Sequence, residues 1–506
     1  MKYADLKDKK ILLILQRDWG IKHGFEIAKK LNNSGALLAT LVFKLSTEGF
    51  IEAQKEVKFK YILKNSEIEN DSNKINQENG YNIKMLLNDF KINSIWENAF
   101  TLRGKSTSLK KYPFSYEQNL NDKEIENYVV AYAFKIKELV NNFSPDVIIG
   151  YNLGDIRHLL LSKIANIKKI PFLFMSDTKV QNIGAFYYDL DCEKSFFKSR
   201  IKELNESKTI SVYKEKAKKY ILDHRILGVK TPLQIKNASL NKSLIGFEEA
   251  KFFLRRILDN LKNKRTYDGP KLRIIFRDYF MERISIYKNK RIKYDPIDSL
   301  DNFVFFPLQH VPESQLGMLN PVHDNQLNTA KILARFLPKN LTLVVKNHPW
   351  KYERRTESFL TKLKNTPNVK LIDHRIPNEI IYKKMDYMIS LCGTSIFEAA
   401  ILKKPTIQIG SLKMMSDLPN LFLLDKLEDI PKLISLIDKN FKQTANSQEY
   451  EEKLINYISA AYDVGFDFSN YEKDLRKDKD ALEYMWKIYL KEITKIFKLK
   501  KFFTFN

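Results

Sequence analysis

Along the second half of the chain, short apolar runs alternate with segments of helical periodicity. Residues 303–308, 341–346, 369–372, 387–391 and 406–409 read as strands, with helices over 326–336, 356–363, 378–383 and 396–402. Continuous apolar strands separated by helices predict a doubly wound parallel sheet, covered on both faces. The first half follows the same rhythm less regularly. Runs at 10–15 and 36–43 flank a helical stretch at 25–31, with a turn at Asn33-Ser34-Gly35. A longer helix at about 122–142 precedes a strand at 146–150, a helix at 156–165 and a strand at 171–175. Residues 65–80, rich in Asn, Glu, Ser and Lys, read as a surface loop or insertion. Residues 194–298 read as mostly helical and basic.

The expected fold class is α/β, with two Rossmann-like domains facing across a cleft and helices at the C-terminus. At 506 residues the chain is too long for one ordinary core. The divisions expected are an N-terminal domain over 1–235, connecting helices over 236–300, a second domain over 301–440 and C-terminal helices over 441–506. In the last helix, Leu482, Met485, Trp486, Tyr489, Ile493 and Ile496 repeat at helical spacing amid lysines. That stripe either crosses back to pack on the first domain or lies on an anionic membrane surface.

Composition narrows the picture further. No apolar run approaches the roughly 18–20 residues that span a bilayer, and the apolar start at 11–15 is too short for a signal peptide. A cytoplasmic location is expected, peripheral to the membrane if the last helix lies on it. Cys192 and Cys392 are too few for a disulfide framework, and the seven histidines form no metal-binding spacing. A formal charge of +25 favours anionic partners, among them nucleotide phosphates and anionic lipid. The lysines are spread along the whole chain and no nucleic-acid-binding motif is visible, so no nucleic-acid partner is expected.

Three polar segments fall at the ends of predicted strands in the second half, where open α/β sheets place their ligands. The first is Gln309-His310-Val311-Pro312-Glu313, the second Lys346-Asn347-His348-Pro349, the third Gly393-Thr394-Ser395 with Glu398 a turn later. Gly393 lets the backbone turn closely, while Thr394 and Ser395 present hydroxyls at a helix start, whose unpaired N–H groups suit a phosphate. Glu398 is placed to accept from ribose hydroxyls, or else to close a capping box with Ser395. His348 is a candidate to stabilise charge on a leaving phosphate, with Lys346 as a second positive group, or else a surface-loop histidine. Glu313 is a candidate for orienting a donor sugar; Pro312 equally defines a turn that caps the next helix. In the first half, Asp18, His23, Asp155 and Asp177 are candidate general bases; Asp18 and Asp155 also read as helix N-terminal carboxylates or turn residues.

Leu308-Gln309-His310-Val311-Pro312-Glu313, Lys346-Asn347-His348-Pro349 and Gly393-Thr394-Ser395-Ile396-Phe397-Glu398-Ala399 before Lys404-Pro405 resemble the capsular polysaccharide biosynthesis proteins, which include Kdo transferases. The resemblance covers about residues 300–425. Gln309 departs from that pattern, which often has His there, and His310 follows one position later. What the resemblance implies is a GT-B-like glycosyltransferase with its acceptor on the N-terminal domain and a nucleotide-sugar donor, such as a CMP-linked one, on the C-terminal domain. It also implies a carbohydrate or lipid-linked acceptor, no bound metal, and no cofactor beyond the donor. The alternatives are a two-Rossmann sugar-nucleotide epimerase, a CDP-polyol phosphotransferase and a noncatalytic assembly subunit.

Overall fold

The computed structural model describes residues 3–102, 120–151, 154–207, 209–228, 250–251, 253–254, 257–258, 272–310, 314–349, 355–410, 413–471 and 473–498. Two sheets organise the chain. In the first half run β1 (Lys10–Gln16), β2 (Leu37–Phe43), β3 (Phe59–Lys64), β4 (Val147–Ile149), β5 (Phe172–Asp177) and β6 (Ile183–Tyr187). In the second run β7 (Phe303–Pro307), β8 (Thr342–Lys346), β9 (Val369–Ile372), β10 (Tyr387–Ser390), β11 (Thr406–Ile409) and β12 (Leu421–Leu424). A short β13 (Phe466–Asp467) follows.

The first sheet has the order β13-β6-β5-β4-β1-β2-β3, the second β12-β11-β10-β7-β8-β9. Numbered within its own half, each contains the doubly wound order 3-2-1-4-5-6. Every pair in the second sheet is parallel. In the first, β6 and β13 are the antiparallel additions. The central strands β1, β7, β8 and β10 are almost wholly buried, which explains their unbroken apolar runs.

Two sequence expectations need correction. Residues 65–80 are not a loop; they form helices Asn65–Asn70 and Ser72–Asn79. Ile68 and Ile75, seven residues apart, are buried, and the Tyr128 hydroxyl donates to Asn65 Oδ1 at 2.6 Å. Two apolar positions in two turns gave too sparse a stripe to stand out among polar neighbours. The boundary at 440 falls inside a continuous helix, Ile430–Ala445.

The chain does not leave the first domain for good after the linking helices. Helix Gln448–Val464 packs on helices Phe196–Glu206 and Lys214–Leu227, and the Tyr457 hydroxyl donates to the carbonyl of Thr178 at 3.0 Å. β13 then joins the first sheet beside β6, where a Cβ on Gly184 would lie 2.3 Å from the Phe468 ring. Helix Lys479–Lys498 completes the return. Met485, Tyr489, Ile493 and Ile496 are buried in the same core as β1 and helix Phe25–Asn33. The Tyr188 hydroxyl donates to Glu492, and Ala4 N–H to Thr494 Oγ1 at 2.9 Å. Of the two readings of this helix, the structure therefore shows packing on the first domain.

Lys198, on helix Phe196–Glu206, ties the halves directly. Its ammonium donates to Lys413 O at 2.9 Å and Ser416 Oγ at 2.7 Å, and pairs with Asp417. Ile493→Ala should lower the stability of the first domain by about 2–4 kcal/mol through the cavity it leaves. Lys487→Ala, on the exposed face, should change it by less than about 0.5 kcal/mol. Denaturant unfolding of the two variants against wild type measures both.

Candidate functional site

Because β7 and β8 pair in register up to Pro307 and Lys346, the chain leaves both strands at the same level. One further bond, Leu308 N–H to Lys346 O at 2.9 Å, extends the pairing past the strand end. The next residues are then locked by side chains. Gln309 N–H donates to Gln326 Oε1 at 2.7 Å, and Gln326 Nε2 returns a bond to Gln309 O at 3.3 Å. Arg355 is buried and forks across both loops, with Nη2 donating to Gln309 O at 2.6 Å and Nη1 to Asn347 Oδ1 at 2.8 Å. The guanidinium thus holds the residue before His310 and the residue before His348. The two imidazoles, each half-exposed, meet edge to face with centroids 5.8 Å apart.

Burial lowers the Arg355 pKa to about 9. Its own carbonyl accepts from Ser285 Oγ at 3.0 Å and Asn289 Nδ2 at 2.8 Å, both on helix Leu272–Asn289. Sequence reasoning missed Arg355 and gave Asn347 no role of its own. The available signal was a basic residue in the loop after His348-Pro349, directly before Thr356, which caps helix Glu357–Lys364.

The third exit follows β10. Gly393 has φ of +128°, and a Cβ there would lie 3.2 Å from Gln309 Oε1, so the turn needs glycine for conformation and for close approach. Cys392 Sγ lies 3.7 Å from the same Oε1. Thr394 is exposed and Ser395 half-exposed at the start of helix Ser395–Ile401, and neither forms a capping box with Glu398. Glu398 instead accepts from the Tyr382 hydroxyl at 2.5 Å. Tyr382 also accepts from Asn378 Nδ2 at 3.1 Å, and Asn378 Oδ1 accepts from Lys346 at 2.5 Å.

Lys346 is buried, with its ammonium also bonded to Ile376 O at 2.6 Å. It joins two strand exits from below rather than presenting an open charge. Burial brings its pKa from 10.5 to about 8, against the opposing pull of Glu398 and Asp373. Burial also raises the Glu398 pKa, partly offset by Tyr382 and Lys346.

The first-half candidates separate clearly. Asp18 is exposed and paired with Lys22 at 2.8 Å. His23 is buried, stacked on Trp19 at 5.4 Å and edge-on to Tyr471 at 4.9 Å. Burial lowers its pKa to about 3, so it is a neutral core residue. Asp155 caps helix Ile156–Ile167 through Arg157 N–H at 3.0 Å and forms an ion pair with the Arg157 side chain. Burial opposes its charge, but Arg157 and His158 outweigh that and hold the carboxyl far below the usual range. It is a poor proton acceptor near neutral pH. Asp177 accepts from Lys179 N–H at 2.7 Å. Glu313, with Val311 and Pro312, lies outside the described residues. Among the described residues no three His, Cys, Asp or Glu side chains group as metal ligands, and no helix is long and apolar enough to cross a membrane.

Two stability tests follow. Removing the Asp155 charge with Asp155→Asn leaves Arg157 buried without its counter-ion and should cost about 3–5 kcal/mol on denaturant unfolding. Lys346, with its folded pKa depressed, costs stability while protonated. That cost should fade as pH rises from about 8 towards 10.5. The stability of wild type relative to Lys346→Met should therefore increase over that window, and a pH series of unfolding curves reads the difference.

Residues 255–412 match the profile of the capsule polysaccharide biosynthesis protein family. No curated protein matches the chain. Among solved structures, the UDP-GlcNAc 2-epimerase of Methanocaldococcus jannaschii is 14% identical, over 90% of this chain and 98% of that one, with a TM-score of 0.25. A glycosyltransferase from Rickettsia africae is 12% identical, over 96% and 98%, with a TM-score of 0.26. The beta Kdo 2,7 transferase KpsC of Thermosulfurimonas dismutans is 10% identical, over 65% and 80%, with a TM-score of 0.34. The fold assignment comes from the strand orders of the two sheets. The matched segment, residues 255–412, carries all three strand exits of the second sheet.

Proposed function

We propose that the chain is a glycosyltransferase that moves a sugar from a nucleotide-sugar donor to a carbohydrate or lipid-linked acceptor. The observation that carries this reading is the Arg355 fork, which sets His310 and His348 edge to face at the ends of adjacent parallel strands. The two imidazoles offer N–H donors, and the Thr394 and Ser395 hydroxyls O–H donors, to phosphate oxygens in the crevice where doubly wound sheets bind ligands. Donors fixed in place before the reaction stabilise charge as it develops on the leaving phosphate. In this arrangement they need no bound metal for that task, and the donor nucleotide is a substrate rather than a cofactor. His348 carries the leaving-group role, His310 and Gln309 line the same exit, and Thr394 and Ser395 face the phosphate.

Lys346 and Glu398 take supporting parts, since their hydrogen bonds with Asn378 and Tyr382 join the second and third exits. Among the first-half carboxylates at strand exits, Asp18 suits the acceptor-side base better than Asp155, whose proton affinity is spent on Arg157. A donor of this kind places the reaction in the cytoplasm. A CMP-linked sugar is the donor to test first, because the segment resembles proteins that include Kdo transferases.

Thermal unfolding with CMP, CDP, UDP and GDP tests the site. A nucleotide at about 100 times its dissociation constant should stabilise the protein by roughly 2.7 kcal/mol. His348→Ala and His310→Ala should reduce that shift, and His348→Ala should lower sugar transfer by about 100-fold. No shift with any nucleotide would contradict the reading. Turnover of a nucleotide sugar with no acceptor present would point to an epimerase instead.

A further inference from the structure

Helix Leu272–Asn289 has two unlike faces. Glu282, Ser285, Ile286 and Asn289 are buried, and Ser285 and Asn289 hold the carbonyl of Arg355. On another face, Phe276, Phe280, Ile284 and Tyr287 are 41%, 57%, 45% and 48% exposed. Their spacing of four, four and three residues lines them up along one side of the helix. Phe253 stacks on Tyr279 at 4.2 Å and meets Phe276 edge-on at 5.2 Å. Close by in sequence, Leu254 and Leu258, one turn apart, are 59% and 56% exposed. Such a run of large apolar side chains in water needs an occupant.

The charges around the stripe say which kind. Residues 272–293 hold seven lysines and arginines against Asp278 and Glu282. Exposed Arg273 stands before the stripe, and exposed Lys288, Lys290 and Arg291 follow it. The Arg291 guanidinium lies over the Tyr287 ring at 4.6 Å, an aromatic with a cation at its polar end. A second copy of the chain would bring the same positive charge against itself, on a protein already at +25. Nucleic acid would satisfy the cations and leave four apolar side chains in water. A bilayer with anionic headgroups answers both, since the apolar side enters the headgroup–acyl boundary while the basic flanks meet phosphate.

We propose that this face of helix Leu272–Asn289 docks the protein on an anionic membrane surface. The surface role moves away from helix Lys479–Lys498, whose stripe is buried, to a helix whose opposite face braces Arg355. The membrane contact and the candidate donor site thus share one rigid element. The proposal does not need the transferase reading to hold, since binding to vesicles is measured without nucleotide or acceptor.

The test is flotation of the full chain with phosphatidylcholine vesicles and with phosphatidylcholine–phosphatidylglycerol vesicles. Wild type should float with the anionic vesicles only, and less so as salt rises. Phe280→Ser with Ile284→Ser should weaken that binding by about tenfold or more at unchanged melting temperature. Lys288→Gln with Arg291→Gln should weaken it too and flatten the salt dependence. Absence of wild-type binding would overturn the proposal, as would serine variants that float like wild type, because the overall charge would then be the cause. A dimer in sedimentation that the serine variants abolish would assign the stripe to a second copy instead.

Discussion

A single buried guanidinium organises the candidate site. Arg355 donates to the peptide before His310 and to the amide before His348, so both imidazoles inherit their positions from one group. Its planar guanidinium holds the two acceptors, on separate loops, in one fixed geometry, which the freely rotating ammonium of a lysine would not impose. The bonds go to a carbonyl and an amide, so burial is met by hydrogen bonds and the charge keeps its reach into the crevice. Arg355 is in turn held through its own carbonyl by Ser285 and Asn289. The chain of support runs from a surface helix through Arg355 to two strand exits.

That support works because of the sheet beneath it. In the order 3-2-1-4-5-6 the crossovers from the first and fourth strands go to opposite faces, and the crevice opens between them. β7 and β10 are those strands in the second half. Gly393 closes the gap by letting the β10 exit come within van der Waals reach of Gln309. Below, Lys346, Asn378, Tyr382 and Glu398 link the exits in a hydrogen-bonded row. Buried polar rows of this sort fix geometry when every member is satisfied.

The second sheet was legible because its inner strands are buried on both faces, and burial writes itself as unbroken apolar sequence. The edges were not. β3 has mostly exposed or half-exposed side chains, β12 is half-exposed along most of its length, and β13 is two residues long, so none shows a strand's periodicity. Among site residues, Gln309, His310, His348 and Gly393 stood out by falling at strand ends. Arg355 and Asn347 gain their meaning from contacts with each other and with Gln309, 46 residues before Arg355, which no local pattern announces. Asp155 carried two readings, a base and a helix N-terminal carboxylate, and the structure shows the second. Its position at a helix start was visible in the sequence; that Arg157, two positions on, pairs with its charge was not.

The elements from helix Gln448–Val464 onward decide how the halves relate. β13 and helix Lys479–Lys498 return to the first domain after the second sheet is complete, so the chain crosses between the two cores twice. Lys198 and Tyr457 add hydrogen bonds at that junction. On the proposed function, a nucleotide occupies the three exits of the second sheet. Amide hydrogen exchange with and without the best-stabilising nucleotide measures this most directly. A nucleotide held there should slow exchange in peptides covering Gln309–His310, Asn347–His348 and Gly393–Glu398, with little change at the first-half exits beside Asp18 and Asp155. Protection confined to the first half, with those three peptides unchanged under a bound nucleotide, would contradict it.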